Sequence, residues 1–158
     1  MKFVDFVCFE ATIAELQARN RDGVITELVT SLEKAGRLDG CKCKDIAPSV
    51  IKRENEASTG MGKGVAVPHV KHKAIRNVVA AVGLSGTGIN FVALDKQPVY
   101  SVILLISPAD NPDKHLQAME CIFRHLQQEK FRKFLRQCRN AKQVEDLIRE
   151  ADEDLLYL

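Results

Sequence analysis

Of the four histidines in the chain, His69 stands in the context best suited to chemistry. It ends the apolar segment Val65-Ala66-Val67-Pro68, directly after Gly60, Gly62 and Gly64. The glycines permit turns and close backbone approach, and Pro68 fixes φ just ahead of the imidazole. A histidine stiffened in this way at the rim of a strand can act as an exposed nucleophile. Its neutral form is available near neutral pH, and one ring nitrogen can attack while the other is held. The same pattern fits a hydrogen-bonded structural histidine, so the spacing alone leaves both readings open.

Other reactive patterns fail on single positions. A phosphate-binding P-loop needs glycine where Ala57 stands and a hydroxyl residue where Gly64 stands. Gly60-x-Gly62 is followed by Val65 where the dinucleotide fingerprint requires glycine, and Gly83-x-x-Gly86-x-Gly88 has a different spacing. Thr87 occupies the last glycine position of a nucleophile elbow over Gly83-Leu84-Ser85-Gly86-Thr87. Cys41-x-Cys43 and His69-x-x-His72 offer metal ligands, but neither has a second pair at zinc-site spacing. No metal site and no cofactor is expected from these motifs.

The elements that must position His69 are legible in the hydrophobic pattern. A chain of 158 residues, 46% hydrophobic and 28% charged, is an ordinary globular composition with room for one core, so residues 1–158 are expected to form a single domain. Residues 20–36 carry Val24, Ile25, Leu28, Val29 and Leu32 at helical spacing, with Asn20 or Asp22 able to cap and Gly36 able to stop the helix. A shorter helix is expected from about Lys44 to Arg53, limited by Pro48. Val65 to His69 reads as an extended segment that Pro68 terminates. Asn77–Leu84 and Val99–Ser107 are nearly continuous β-branched apolar runs, as in strands buried on both faces. Helices must cover both sides, and the C-terminal third is expected to supply them over Asp113–Gln127, Lys130–Cys138 and Lys142–Glu150. The expected class is α/β, a sheet flanked by helices on both faces.

Asp5 and Glu10 break the N-terminal apolar run, and Val99–Ile106 is too short to span a bilayer. A cytoplasmic protein with no direct membrane insertion is expected. Five cysteines form an odd set in a chain that needs no staples, and they read as reduced thiols. The net charge of +2 names no partner. Locally, residues 124–142 hold seven basic side chains against Glu129, a net +6, with Phe131, Phe134 and Leu135 interleaved. That run reads as a helix with a core face and a solvated face, balanced by six acids against Arg149 over residues 145–154, and no nucleic-acid partner is expected.

Arg53-Glu54, Ser58-Thr59-Gly60-Met61-Gly62-Lys63-Gly64-Val65-Ala66-Val67-Pro68-His69, Asn90-Phe91, Asp95-Lys96-Gln97-Pro98-Val99, Leu105-Ile106-Ser107-Pro108-Ala109 and His115-Leu116 together form a spaced signature. It resembles that of the fructose/mannitol-type IIA components of the bacterial phosphoenolpyruvate-dependent sugar phosphotransferase system, nearest their nitrogen-regulatory branch. The resemblance covers roughly residues 5–150. It implies a mixed sheet of about five strands flanked by helices, and a protein-histidine phosphotransferase that needs no metal or nucleotide.

By the same resemblance, His69 accepts a phosphoryl group through Nε2 from phospho-HPr or its nitrogen-branch homologue, with Nδ1 left for the backbone. His115 hydrogen-bonds the phosphoryl group without carrying it, and Arg53 lies close to it. Read from the residues alone, His115 fits a capping or surface histidine, and Arg53 fits a solvated charge at a helix end. The implied onward partner is a IIB domain, with sugar transport as the outcome. The alternative is a regulatory protein-binding module that controls a kinase or transporter through nitrogen-type regulation. Val70 departs from the small residue the family usually carries after the active histidine, and its branched side chain is expected to narrow a partner's approach or alter the local backbone. His72 reads as a surface residue, and His125 as a packing or solvent-facing one.

Overall fold

The computed structural model describes residues 1–93 and 95–157. Two short 3-10 turns, Phe3–Asp5 and Phe9–Ala11, precede α1 (Arg21–Lys34) and α2 (Cys43–Glu56). The strands follow: β1 (Gly60–Gly62), β2 (Val65–Ala66), β3 (His69–His72), β4 (Val79–Ile89) and β5 (Val99–Pro108). Helices α3 (Pro112–Leu126), α4 (Glu129–Gln137) and α5 (Ala141–Asp152) and a last 3-10 turn, Leu155–Tyr157, complete the chain.

β5 is the axis of the sheet. β4 runs antiparallel to it along one edge, from Val79 opposite Ile106 to Ile89 opposite Val99. β2 and β3 must therefore share the other edge in tandem, both parallel to β5, with Val65 opposite Ser101 and His69 opposite Leu105. β1 folds back on β2 through Lys63 and Gly64, whose φ values of 59° and 79° are those of a two-residue hairpin turn. The result is a mixed five-stranded sheet.

Alternation along β5 divides the core. Val102, Leu104 and Ile106 face a cluster with Val24, Leu28, Leu32, Ile46 and Val50 of α1 and α2. Ile103 and Leu105 face a second cluster with Ile122, Phe131, Leu135, Val144 and Ile148 of α3, α4 and α5. Burial on both faces is why these strands carry no polar alternation. The period of two then decides which layer each side chain of β3 meets.

Three local expectations are corrected. α2 is longer than the expected Lys44–Arg53, spanning Cys43–Glu56 with Pro48 inside it. Pro48 removes one internal N–H, yet burial of Ile46, Ala47, Val50 and Glu54 holds the helix together around it. Pro68 interrupts the extended segment without ending it, since its carbonyl still accepts from Leu105 N (2.9 Å) and pairing resumes at His69. On α4, Phe131 and Leu135 are buried, but Phe134 stands 37% exposed, outside the expected core face. All five cysteines are free thiols. No helix among the described residues is long and apolar enough to cross a membrane.

Candidate functional site

His69 opens β3 and is half-buried. Its partner Leu105 belongs to the α3 layer, whereas Val70 pairs with Ile106 and packs against the α1–α2 layer. Alternation therefore sends the imidazole toward α3 and turns Val70 into the core. Val70 keeps an ordinary negative φ as well. The expectation that this branched side chain crowds the approach to His69 is not met, because it lies on the opposite face of the sheet.

The ring of His69 is held from below. Nδ1 lies 2.7 Å from the carbonyl oxygen of Val67, a contact that only the Nδ1–H tautomer can make as a hydrogen bond. Nε2 then carries the free lone pair. Val67 is itself anchored, its N–H donating to Thr59 O at 3.1 Å. Thr59 in turn donates from its N–H and its hydroxyl to the two carboxylate oxygens of Glu54, at 2.6 and 2.7 Å. Glu54 and Thr59 are buried, so this clamp operates away from competing water. Gly60 comes next, where a Cβ would lie 2.8 Å from the backbone of Ala93, and glycine alone lets the hairpin sit this close.

His115 approaches from α3. Asn111 caps that helix by accepting from Lys114 N (3.3 Å), and Pro112 takes its first turn, a position that needs no N–H. One turn in, His115 places Nδ1 2.7 Å from Ser107 Oγ at the end of β5. Its ring centroid is 5.6 Å from that of His69, with the planes inclined by 45°. Arg53, on the last turn of α2, donates to Ala57 O (3.3 Å) and lies close enough to act on the charge of His69.

Both imidazoles are kept neutral. Burial is the main reason the His69 pKa falls below its ordinary 6.5, opposed by the Val67 hydrogen bond, reinforced by Arg53, opposed by Glu54 and reinforced weakly by Lys71. Burial, then His69 and Lys71, push His115 down to about 4. A pair of uncharged imidazoles beside a guanidinium suits a nucleophile and a neutral N–H donor facing an incoming anion.

This geometry has a consequence for stability. The unfolded chain protonates its histidines near 6.5, whereas folded His69 and His115 resist protonation. Below that pH the unfolded state therefore binds more protons, so stability is full above about pH 7 and declines as pH falls toward about 4. Urea midpoints measured at about pH 7.5 and 5.5 should show this decline, and it should shrink in His115→Gln. An equal decline in both proteins would show that His115 contributes nothing to it.

The predicted residues His69, His115 and Arg53 are thus brought together from β3, α3 and α2. His72 accepts from Ala74 N through Nδ1 (3.1 Å) and caps a turn. His125 lies in the core, 1% exposed, which settles its two expected roles in favour of packing. Sequence reasoning assigned no role to Ser107, Thr59 or Glu54. The detectable signal was a hydroxyl inside an apolar strand and an acid in a helix turn that the apolar pattern would otherwise bury.

Residues 8–151 match the family profile of the phosphoenolpyruvate-dependent sugar phosphotransferase system, EIIA 2. The chain belongs to this EIIA family. Its members are phosphotransferases that accept and pass a phosphoryl group on histidine. A fructose-specific EIIA component of Haloferax volcanii is 32% identical over 84% of the chain and 85% of that protein. A nitrogen regulatory protein of Bradyrhizobium diazoefficiens is 30% identical over 91% of the chain and 92% of the relative. The fructose-specific EIIABC component of Bacillus subtilis is 30% identical over 97% of the chain, which spans 24% of that longer protein. In fold, the nitrogen regulatory protein IIA-Ntr of Neisseria meningitidis superposes with a TM-score of 0.83 at 22% identity, over 91% of this chain and 97% of that one.

Proposed function

We propose that this EIIA protein carries a phosphoryl group on His69 Nε2, received from the phosphohistidine of HPr or a nitrogen-branch HPr homologue in the cytoplasm. The observation that carries the reading is the 2.7 Å bond from His69 Nδ1–H to Val67 O, which leaves Nε2 as the free nucleophile. In the transfer, the Nε2 lone pair forms a bond to phosphorus as the donor's N–P bond breaks. The electron pair of that bond stays on the donor imidazole. No metal or nucleotide takes part, since the group arrives already activated on nitrogen.

His115 serves as the charge-stabilising donor. To present Nε2–H to the phosphoryl oxygens it must accept at Nδ1, so the Ser107 hydroxyl donates across their 2.7 Å contact. Its low affinity for a proton keeps this donation neutral, without the cost of a second buried charge. Arg53 supplies the positive charge. His115→Ala should slow transfer by about 100-fold while leaving the site of modification on His69. Wild-type single-turnover rates in that variant would remove its role.

The phosphoryl group then passes to a IIB domain, a destination supported by the B. subtilis relative whose name joins A, B and C components. The full-length similarity to a nitrogen regulatory protein supports a second use, in which the same modification sets binding to a regulatory target. Adding about two negative charges to one imidazole suffices to switch an interface. The test is intact-mass analysis after incubation with phosphoenolpyruvate, enzyme I and HPr, omitting each in turn. One HPr-dependent phosphoryl group per chain supports the carrier, and no label from several HPr-type donors would leave only the non-transferring binding module.

A further inference from the structure

On the buried face of α3, Cys121 and His125 project from successive turns of the helix, and α5 ends beside them at Asp152. One donor atom from each of these three side chains, a ring nitrogen in the case of His125, lies within 4.8 Å of the other two. Cys121 and His125 are 2% and 1% exposed. His125 Nε2 is buried and has no hydrogen-bond partner among the described residues. An unpaired nitrogen in a core is costly, and an apolar side chain would fill this place without that cost.

The surroundings hold these side chains as metal ligands are held elsewhere. His125 Nδ1 lies 2.7 Å from the Tyr157 hydroxyl, so an Nδ1–H donating to Tyr157 leaves Nε2 as the free lone pair. The ring is stacked at 5.0 Å on Phe3 and at 5.8 Å on Tyr157, which fixes its plane. Both oxygens of Asp152 are oriented by backbone donors, Phe3 N at 2.8 Å and Val4 N at 3.0 Å, and each keeps a second lone pair.

From this arrangement we infer a binding site for a borderline-soft divalent cation of the zinc class, with Cys121 Sγ, His125 Nε2 and an Asp152 carboxylate oxygen as ligands. Thiolate, imidazole and carboxylate together suit zinc and disfavour magnesium or calcium, which take oxygen sets. One thiolate and one carboxylate cancel the charge of the ion, so the loaded site is neutral inside the core. Tetrahedral coordination separates ligand atoms by about 3.3–3.8 Å, so side-chain rotations of about 1 Å close the present cluster, and a water completes it. A metal-free thiol is protonated near neutral pH and the thiolate is the ligand, so binding displaces that proton to solvent as the S–metal bond forms. The bound ion would join α3 to α5, whose Asp152 also holds the N-terminal turn through Phe3 N and Val4 N.

Cobalt(II) is the probe that reports a thiolate ligand directly. The background protein carries Cys41→Ser and Cys43→Ser, which removes the partly exposed pair as a competing site. Expected are one equivalent of Co²⁺ bound, with near-ultraviolet sulfur-to-metal charge transfer, visible bands of tetrahedral intensity, displacement by Zn²⁺, and about one proton released per ion. Asp152→Asn should weaken binding at least 10-fold, and Cys121→Ser should abolish the charge-transfer band. Binding without that band or without proton release overturns the assignment, as does affinity unchanged in Asp152→Asn. No Co²⁺ or Zn²⁺ bound at 100 µM does so too. The Asp152→Asn titration and the proton count stand even where Cys121→Ser fails to fold.

Discussion

His69→Ala leaves a folded protein that takes no phosphoryl group. After incubation with phosphoenolpyruvate, enzyme I and HPr, its intact mass should stay that of the unmodified chain. The loss is complete because removal of the imidazole removes the proposed nucleophile itself. His115, 5.6 Å away, has its Nδ1 engaged by Ser107 and is proposed as a donor only, and His72 is committed to its own turn through Ala74 N. Folding survives because His69 is half-buried and contributes one hydrogen bond, to Val67 O, worth about 1 kcal/mol against a typical stability of 5–15 kcal/mol. Circular dichroism and a thermal midpoint close to that of the parent establish the fold. A phosphoryl group on the variant, mapped by peptide fragmentation, would move the acceptor elsewhere and end the proposal for His69.

The parts of this protein that were legible in its sequence are those where one period dominates. Val24, Ile25, Leu28, Val29 and Leu32 mark α1, and nearly continuous apolar runs mark β4 and β5, because burial on one stripe or on both faces leaves a pattern along the chain. His69, His115 and Arg53 were singled out through a spaced signature that stretches over 62 positions from Arg53 to His115. What could not be read was the consequence of pairing. The face that Val70 occupies depends on its register opposite Ile106, and a shift of one residue would have placed it beside the reacting group. Pro48 reads as a limit on α2 and Pro68 as a stop because local propensity penalises both, yet tertiary burial around Val50 and the ladder to Leu105 override that penalty. Cys121, His125 and Asp152 lie on two helices at opposite ends of the C-terminal third, so no short motif connects them.

Glu54 is where positioning and charge can be separated, and its variants should differ in kind. Glu54→Ala removes both acceptors from Thr59, leaving a buried N–H and a hydroxyl unpaired at about 1–3 kcal/mol each. The thermal midpoint should fall accordingly. Thr59 O also accepts from Val67 N, and Val67 O holds His69, so loosening Thr59 loosens the nucleophile two bonds downstream. Transfer should slow by about 10- to 100-fold, since small displacements of a reacting group are costly. Glu54→Gln keeps an acceptor for the Thr59 N–H and an amide that can donate to its hydroxyl, so the hairpin stays anchored. It removes the negative charge that raises the His69 pKa, and that pKa should fall further below 6.5 while His115 keeps its value. Ring titration by NMR distinguishes the two outcomes. A role confined to stability would lower the midpoint of Glu54→Ala and leave its transfer rate at the parent value. A positioning role predicts that transfer collapses in Glu54→Ala and is largely kept in Glu54→Gln, whose titration shift reports the charge alone.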